Sequence, residues 1–322
     1  MKTIRYGILG LGVIGDRFAR VVNTVEGTSL AAVAARDVAR AAQFAARHGG
    51  ARAYGNYREL AQDPDVDAVY IALTHNFHAE ATRLCLENGK AVLCEKPFVL
   101  RGDEARELVA MAGGKGLALM EAMWTRFLPA VRQARAWVRD GRIGKVKLVQ
   151  TDFCFCVPYD PESRLFNPAL AGGALYDVGV YVAEFANGVL DELPVEVRAV
   201  SALCPTGVDE YTAMSLRYPG GALASLVCGI RGTAPADAVI VGTEGRILVH
   251  DFFQSRRCEL LGSDNETVEV YESGYEDGFR YQIEHFADMV RTGTCESDIM
   301  PWRDTIGCAD LFDRVRTQCG ML

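Results

Sequence analysis

Over roughly the first third of the chain, short apolar runs alternate with amphipathic stretches. Residues 3–9 (TIRYGIL) form an apolar run of strand length, followed by the turn Gly10-Leu11-Gly12-Val13-Ile14-Gly15 and a helical pattern from Asp16 to about Val25. A second run, Leu30 to Ala35, ends at Arg36-Asp37, where Asp37 is placed to cap a helix over the Ala/Arg-rich stretch to His48. Further strands are predicted at 68–73, 91–94 and 116–120, separated by helical stretches at 77–88 and 103–113. This alternation predicts a parallel sheet.

Near position 122 the rhythm changes. An Ala/Arg-rich amphipathic helix is predicted over 130–140, ending at Gly141, and 145–157 alternates like a long strand. Strand-like segments follow at 195–203, 211–218, 222–229, 237–241 and 246–249, joined by Pro-Gly-Gly and Thr-Glu-Gly-Arg turns, which predicts a mostly antiparallel sheet. Helical periodicity returns from Tyr281 to Thr292 and from Pro301 to Gln318. The fold class expected is α/β: an N-terminal Rossmann dinucleotide-binding domain over 1–122, then a C-terminal α+β domain over 123–322 with a large, mostly antiparallel sheet.

Composition narrows the partners. The 322 residues exceed what one hydrophobic core usually serves, and 49% apolar with 24% charged residues is ordinary for a globular protein. The net charge of −8 is spread without long blocks of one sign, which argues against nucleic acid or an anionic membrane and favours small solutes. Every apolar stretch is interrupted before it reaches about 18 residues, so no membrane span or export signal is expected. The ten cysteines are scattered without a C-x-x-C pair, which reads as reduced thiols in a cytoplasmic protein. Cys154-Phe155-Cys156 places two sulfurs on one strand face, but without a second pair of ligands no metal site is expected.

Gly10, Gly12 and Gly15 carry a G-x-G-x-x-G pattern that follows a strand and opens a helix. In that context Gly10 permits the tight turn, Gly12 lets backbone approach a pyrophosphate and Gly15 allows close helix packing, with Val13 and Ile14 at a helix N-terminus facing the anion. An NAD site usually carries an acidic residue at the end of the second strand, roughly 20 residues on. Ala35 stands there, followed by Arg36 and, one helical turn later, Arg40. Two guanidiniums suit a 2′-phosphate, which favours NADP and leaves NAD possible. The alternative is that both arginines decorate a solvated face and Asp37 accepts the ribose hydroxyls.

Glu95-Lys96-Pro97 ends a buried strand, at the sheet edge where open α/β folds bind ligands. Hydride transfer to or from an alcohol needs a group near the nicotinamide that exchanges a proton at neutral pH. In the second half, the glycines Gly172 and Gly173 precede Asp177 and Tyr181, four apart and on one face if helical. A phenol titrates near pH 10, and a neighbouring ammonium such as that of Lys96 would lower that value. Taken singly, Lys96 reads as a surface lysine, Tyr181 as a core tyrosine and Asp177 as a cap; the chemistry rests on their combination.

Together, Gly10 to Gly15, Glu95-Lys96-Pro97 and Gly172 to Tyr181 resemble the glucose-fructose oxidoreductase and inositol dehydrogenase (Gfo/Idh/MocA) family over nearly the whole chain. The stretches 120–129 (MEAMWTRFLP) and 53–57 (AYGNY) are similar to its dimeric dihydrodiol dehydrogenase branch, which includes NADP-dependent D-xylose 1-dehydrogenases. The resemblance implies that Lys96 and Tyr181 sit beside the nicotinamide, with Tyr181 as proton donor and acceptor. It implies that Trp124, Arg126 and Phe153 line the substrate pocket, that Asp177 supports Tyr181 or the substrate, and that Arg36 and Arg40 meet the 2′-phosphate. Thr74, Asn76, His78 and Glu95 fall where the family borders the cofactor, and His78 is expected to begin a helix. The stretch 154–167 departs from the branch; within it Arg164 and Asp160 are candidates to hydrogen-bond sugar hydroxyls. The family also implies a homodimer through the second-domain sheet, with Leu223, Ser225 and Val227 on the shared face.

The expected activity is hydride transfer between NADP and a carbinol or aldehyde carbon of a small polyol-like substrate: a sugar, a polyol or a trans-dihydrodiol. Two other readings stand beside it. One is a dinucleotide-sensing regulator, against which Lys96, Asp177 and Tyr181 argue. The other is an enzyme that recycles NAD while cleaving glycosidic bonds, separated from a dehydrogenase by its lack of net reduced cofactor.

Overall fold

A computed structural model describes residues 2–321. The chain forms two compact units: one runs to Ala122 and takes back Phe279–Ile306, and the other comprises Met123–Gly278 and the residues from Gly307 onward.

The first unit is built on a six-stranded parallel sheet of β1 (Ile4–Leu9), β2 (Thr28–Ala34), β3 (Arg52–Tyr54), β4 (Ala68–Ile71), β5 (Ala91–Glu95) and β6 (Leu119–Ala122), in the order β3-β2-β1-β4-β5-β6. Its helices are α1 (Val13–Val22), α2 (Val38–Arg47), α3 (Tyr57–Gln62), α4 (His78–Glu87) and α5 (Gly102–Lys115). Every residue of β4 and β5 is buried, so these strands read as unbroken apolar runs rather than alternating ones. The strand order reverses between β1 and β4, which is the switch point where doubly wound sheets bind dinucleotides at the carboxyl ends of their strands.

Two local departures from the sequence pattern have physical causes. The strand expected at 116–120 forms instead over β6, because Gly116 is used in the left-handed region (φ 66°) to close α5. The three-residue edge strand β3 and the six-residue α3 are too short to show a period; Asn56 starts α3 by accepting the Glu59 amide at 2.9 Å. A late helix, α8 (Phe279–Thr292), packs on α1 and β1 of this unit. There the Tyr6 hydroxyl donates to the Ile283 carbonyl at 3.4 Å, and the Tyr6 ring meets Phe18 and Phe286.

The second unit carries an eight-stranded sheet. Its strands are β7 (Val146–Cys154), β8 (Glu196–Leu203), β9 (Asp209–Arg217), β10 (Leu223–Gly229), β11 (Ala238–Gly242), β12 (Gly245–Val249), β13 (Arg257–Gly262) and β14 (Thr267–Glu272). They run in the order β14-β13-β12-β11-β7-β10-β9-β8, and every neighbouring pair is antiparallel except β7 with β10. On one face, α6 (Pro129–Arg139) packs on β12, β13 and β14, while α7 (Val180–Leu190) packs on β7 and β10. The residues pointing the other way include Val200, Leu223 and Val270, all exposed.

α7 is buried over almost its whole length, Glu184 included. The cost of burying that carboxylate is met by Arg126, itself 1% exposed, whose Nη2 lies 2.7 Å from Glu184 Oε2 and whose Nε donates to the Glu184 carbonyl at 3.1 Å. Gly188 leaves room for this guanidinium, since a Cβ there would sit 3.0 Å from its Cζ. Removing one partner of a buried ion pair strands the other, so Glu184→Ala should lower unfolding stability by roughly 3–5 kcal/mol. The paired change Arg126→Met with Glu184→Leu should recover most of that. Urea unfolding measures both; equal losses in the single and double variants would contradict the assignment.

Candidate active site

The turn after β1 has the shape a dinucleotide requires. Gly10 adopts φ +96°, and a Cβ on it would lie 2.4 Å from the Ala72 carbonyl oxygen. A Cβ on Gly15 would come within 2.2 Å of the Gly10 carbonyl, so this residue lets α1 approach the turn. Gly12 differs: nothing lies within 4 Å of where its Cβ would be. The packing of the protein does not require a glycine there, whereas close approach of a pyrophosphate does. Gly12 is also the N-cap of α1 and contributes no side-chain cap, which leaves the first-turn amides to a ligand. Val13 and Ile14 stand exposed beside it.

At the end of β2, Arg36 is exposed and Arg40 donates through Nη2 to the Leu11 carbonyl at 3.1 Å, which ties its guanidinium to the glycine turn. Oδ1 of the exposed Asp37 caps α2, accepting the Ala39 amide at 2.9 Å.

The ends of β4 and β5 carry the next group. Thr74 donates to Asn76 Oδ1 at 2.8 Å in the short turn 75–77, and His78 opens α4. The His78 ring is buried, with Nδ1 2.8 Å from the Pro97 carbonyl and Nε2 3.0 Å from the Leu73 carbonyl; burial holds its pKa below the ordinary value. His78 thus joins the two strand ends. Glu95 is turned into the unit, accepting from the Tyr70 hydroxyl and, at 3.3 Å, from the Lys96 amide. Burial raises the Glu95 pKa, and the Lys96 ammonium is the first influence pulling it back. The Lys96-Pro97 peptide bond is cis. The Tyr70 ring stacks on Phe18 of α1 at 3.7 Å, linking this network to the glycine-turn helix.

In the second unit, residues Leu175–Gly179 form a π-helical turn that runs directly into α7, an irregularity common at functional positions. Its entry is fixed by Asp209 at the start of β9. The Asp209 carboxylate is buried, accepts the Leu175 amide at 2.8 Å and the Thr212 hydroxyl at 2.7 Å, and lies where a Cβ on Gly173 (φ +113°) would stand. Burial raises its pKa. Tyr181 is the second residue of α7, 8% exposed, with its ring edge-on to Phe153 at 5.2 Å and to Phe253 at 6.4 Å. Its hydroxyl oxygen accepts from the indole Nε1 of Trp124 at 3.1 Å.

Trp124, Phe153 and Tyr181 are therefore gathered in one aromatic cluster. Asp177 and Arg164 form another pair, with Nη1 to Oδ1 at 2.9 Å. Arg126 is committed to Glu184 instead. Sequence reasoning missed Phe253, which stacks on Phe153 at 4.2 Å, and Asp209, since neither stands in a local motif. In the first unit a cavity of about 260 Å³, lined by Val66, Asp67, Gly89, Ala91, Gly116 and Leu117 among others, opens at the amino ends of the strands, opposite the edge just described. Among the described residues no helix is long and apolar enough to cross a membrane.

Comparison with known proteins agrees with this geometry. Residues 4–123 match the oxidoreductase family with an NAD-binding Rossmann fold, and residues 131–248 match the GFO/IDH/MocA C-terminal domain. Trans-1,2-dihydrobenzene-1,2-diol dehydrogenase of Mus musculus is 34% identical over 326 residues, covering 99% of this chain and 97% of the relative; the Homo sapiens enzyme is 35% identical over 327 residues with the same coverage. A solved structure of the 3-ketoreductase KijD10 from Actinomadura kijaniata, in complex with NADP and TDP-benzene, superposes with a TM-score of 0.88 at 28% identity, covering 99% of this chain and 98% of that one. With both domains matched and such identity along nearly its full length, the chain belongs to the Gfo/Idh/MocA family and is an NAD(P)-dependent oxidoreductase.

Proposed function

We propose that this enzyme is an NADP-dependent dehydrogenase that oxidises the carbinol carbon of a sugar, a polyol or a trans-dihydrodiol, or reduces the corresponding carbonyl, with Tyr181 as general acid-base and Lys96 as its cationic partner. The observation that carries the reading is the setting of Tyr181: a nearly buried phenol whose oxygen is fixed by a hydrogen bond in a wall of aromatic rings. The dihydrodiol dehydrogenase relatives and the NADP-bound ketoreductase support the substrate and cofactor classes.

Bound NADP supplies the hydride acceptor at its nicotinamide. The protein supplies the rest. In oxidation the phenolate of Tyr181 takes the alcohol proton as the hydride leaves carbon, so a carbonyl forms and the balance is one reduced cofactor and one proton per alcohol. Lys96 favours the phenolate through its positive charge and orients the alcohol oxygen. Glu95 and His78, both buried behind it, hold the strand ends that present Lys96. Phe153 and Trp124 give the substrate an apolar wall, and the Arg164-Asp177 pair offers polar groups to hydroxyls. Arg126 acts from the interior by holding α7.

The choice of NADP over NAD rests on Arg36 and Arg40, the exposed Arg36 following β2 and Arg40 lying on the glycine turn. The exposed sheet face of the second unit, with Val200, Leu223 and Val270, supports a homodimer. Sedimentation equilibrium at micromolar concentration reads this directly; a strictly monomeric enzyme would overturn it.

Purified enzyme given NADP and a panel of aldoses, inositols and trans-dihydrodiols should form NADPH with one class. Lys96→Met and Tyr181→Phe should each lower kcat by about 10²–10⁴-fold while fluorescence titration shows NADPH still bound. Tight NADP binding with silence across the panel would overturn the dehydrogenase reading in favour of dinucleotide sensing or a tightly cycling cofactor. Replacing Arg36 and Arg40 together by Ala should raise the KM for NADP by roughly 100-fold or more, at about 1.5–3 kcal/mol per charge-assisted bond, and leave the KM for NAD nearly unchanged. An equal loss for both cofactors would contradict the 2′-phosphate assignment.

A further inference from the structure

The wall around Tyr181 is chemically uneven. Phe153 and Phe253 present ring edges and faces, and neither can hydrogen-bond strongly. Trp124 is different, because its indole Nε1 lies 3.1 Å from the Tyr181 hydroxyl oxygen in a buried contact. An indole N–H donates and cannot accept. The direction of this bond is therefore fixed whichever protonation state Tyr181 holds. While Tyr181 is a phenol, one lone pair of its oxygen is taken by the indole and the phenolic hydrogen must point away from Trp124. When Tyr181 is a phenolate the same bond becomes charge-assisted and stronger. An aromatic that only lined a substrate pocket would not need its single polar atom on the acid-base oxygen.

We propose that Trp124 is a positioning residue for Tyr181: its indole N–H fixes the rotor of the hydroxyl so that the transferable proton is aimed away from the aromatic wall, and it stabilises the phenolate during transfer. The inference rests on the reading of Tyr181 as general acid-base and assigns the residue that tunes it. Trp124 can do this because it is itself held. Its turn, Trp124–Phe127, is tied to α7 by Arg126 and to the 252–254 turn by the Thr125 hydroxyl, which donates to the Phe253 carbonyl at 2.8 Å. Gly278 completes the fit: a Cβ there would lie 2.7 Å from the Trp124 ring.

Of the charged groups on the elements packed against α7, several are paired and others are exposed. Arg126 is paired with Glu184 and Asp177 with Arg164. On β7, Asp152 accepts the Ala236 amide at 3.1 Å and Lys147 is exposed, and β10 carries no charged residue. On α6, Arg132 and Arg139 are exposed and Arg135 is half-buried. The indole is a neutral donor seated on the phenol oxygen itself.

Three measurements on the 322-residue enzyme test the proposal. First, Trp124→Phe should lower kcat roughly 10- to 100-fold and move the acid limb of the kcat–pH profile upward, with NADPH binding unchanged. Second, the change should be non-additive: in the Tyr181→Phe background, Trp124→Phe should reduce the residual rate by less than about 2-fold. Third, the chain has three tryptophans, so 15N-tryptophan labelling yields a short set of indole N–H resonances. One of them should titrate with pH in the wild type and lose that titration in Tyr181→Phe, a readout that does not depend on a Trp124 variant folding. Multiplicative losses in the double variant, a rise in substrate KM with kcat and its pH profile intact, or an indole set that ignores Tyr181 would each overturn the proposal. Full activity of Tyr181→Phe alone would instead strike the acid-base reading beneath it.

Discussion

The amide of Leu175 and the carboxylate of Asp209 make the contact on which the second unit's candidate site depends. Asp209 is buried at the head of β9, and its position against Gly173 sets where the π-helical turn begins. From there the chain has little freedom. The turn passes into α7, α7 is locked by the Glu184-Arg126 pair, and Tyr181 is delivered to one place between Phe153, Phe253 and Trp124. A buried carboxylate is costly to leave unpaired, so the same bonds that define the turn also satisfy Asp209.

The first unit applies a parallel economy at the carboxyl ends of its strands. The His78 ring lies within hydrogen-bond distance of carbonyls from two different strand ends and can donate to one of them when neutral, and Glu95 gathers the Tyr70 hydroxyl and the Lys96 amide. Polar groups behind Lys96 are thereby occupied with backbone, while Gly12 and the first turn of α1 present open space and amides. Rigid support behind and open approach in front is the arrangement a site needs if its reacting groups are to be preorganised.

How much of this was legible in the sequence followed the range of each interaction. The parallel sheet was readable because strands buried on both faces appear as apolar runs, and the glycine turn because its three constraints fall within six residues. β13 and β14 were not read, although Thr267-Val268-Glu269-Val270 alternates polar and apolar residues as a strand does. Lys96, Asp177 and Tyr181 could be picked out from local motifs and family likeness. The contacts that position them could not: Asp209 lies 34 residues from Leu175 and Trp124 lies 57 from Tyr181, separations at which no periodicity survives. Arg164 and Asp177 were read separately as facing substrate, whereas the fold joins them to each other. Arg126 shows the opposite limit, since a motif flagged the residue but only packing shows that it serves a buried carboxylate.

The central claim is that Tyr181 and Lys96 act on one oxygen of the substrate. A crystal structure of the enzyme with NADP and an unreactive polyol analogue tests it most directly. The account predicts Tyr181 Oη and Lys96 Nζ both within about 2.6–3.2 Å of the same carbinol oxygen, with that carbon facing the nicotinamide. A complex in which the carbinol oxygen meets other groups, and Tyr181 remains behind its aromatic wall, would contradict it.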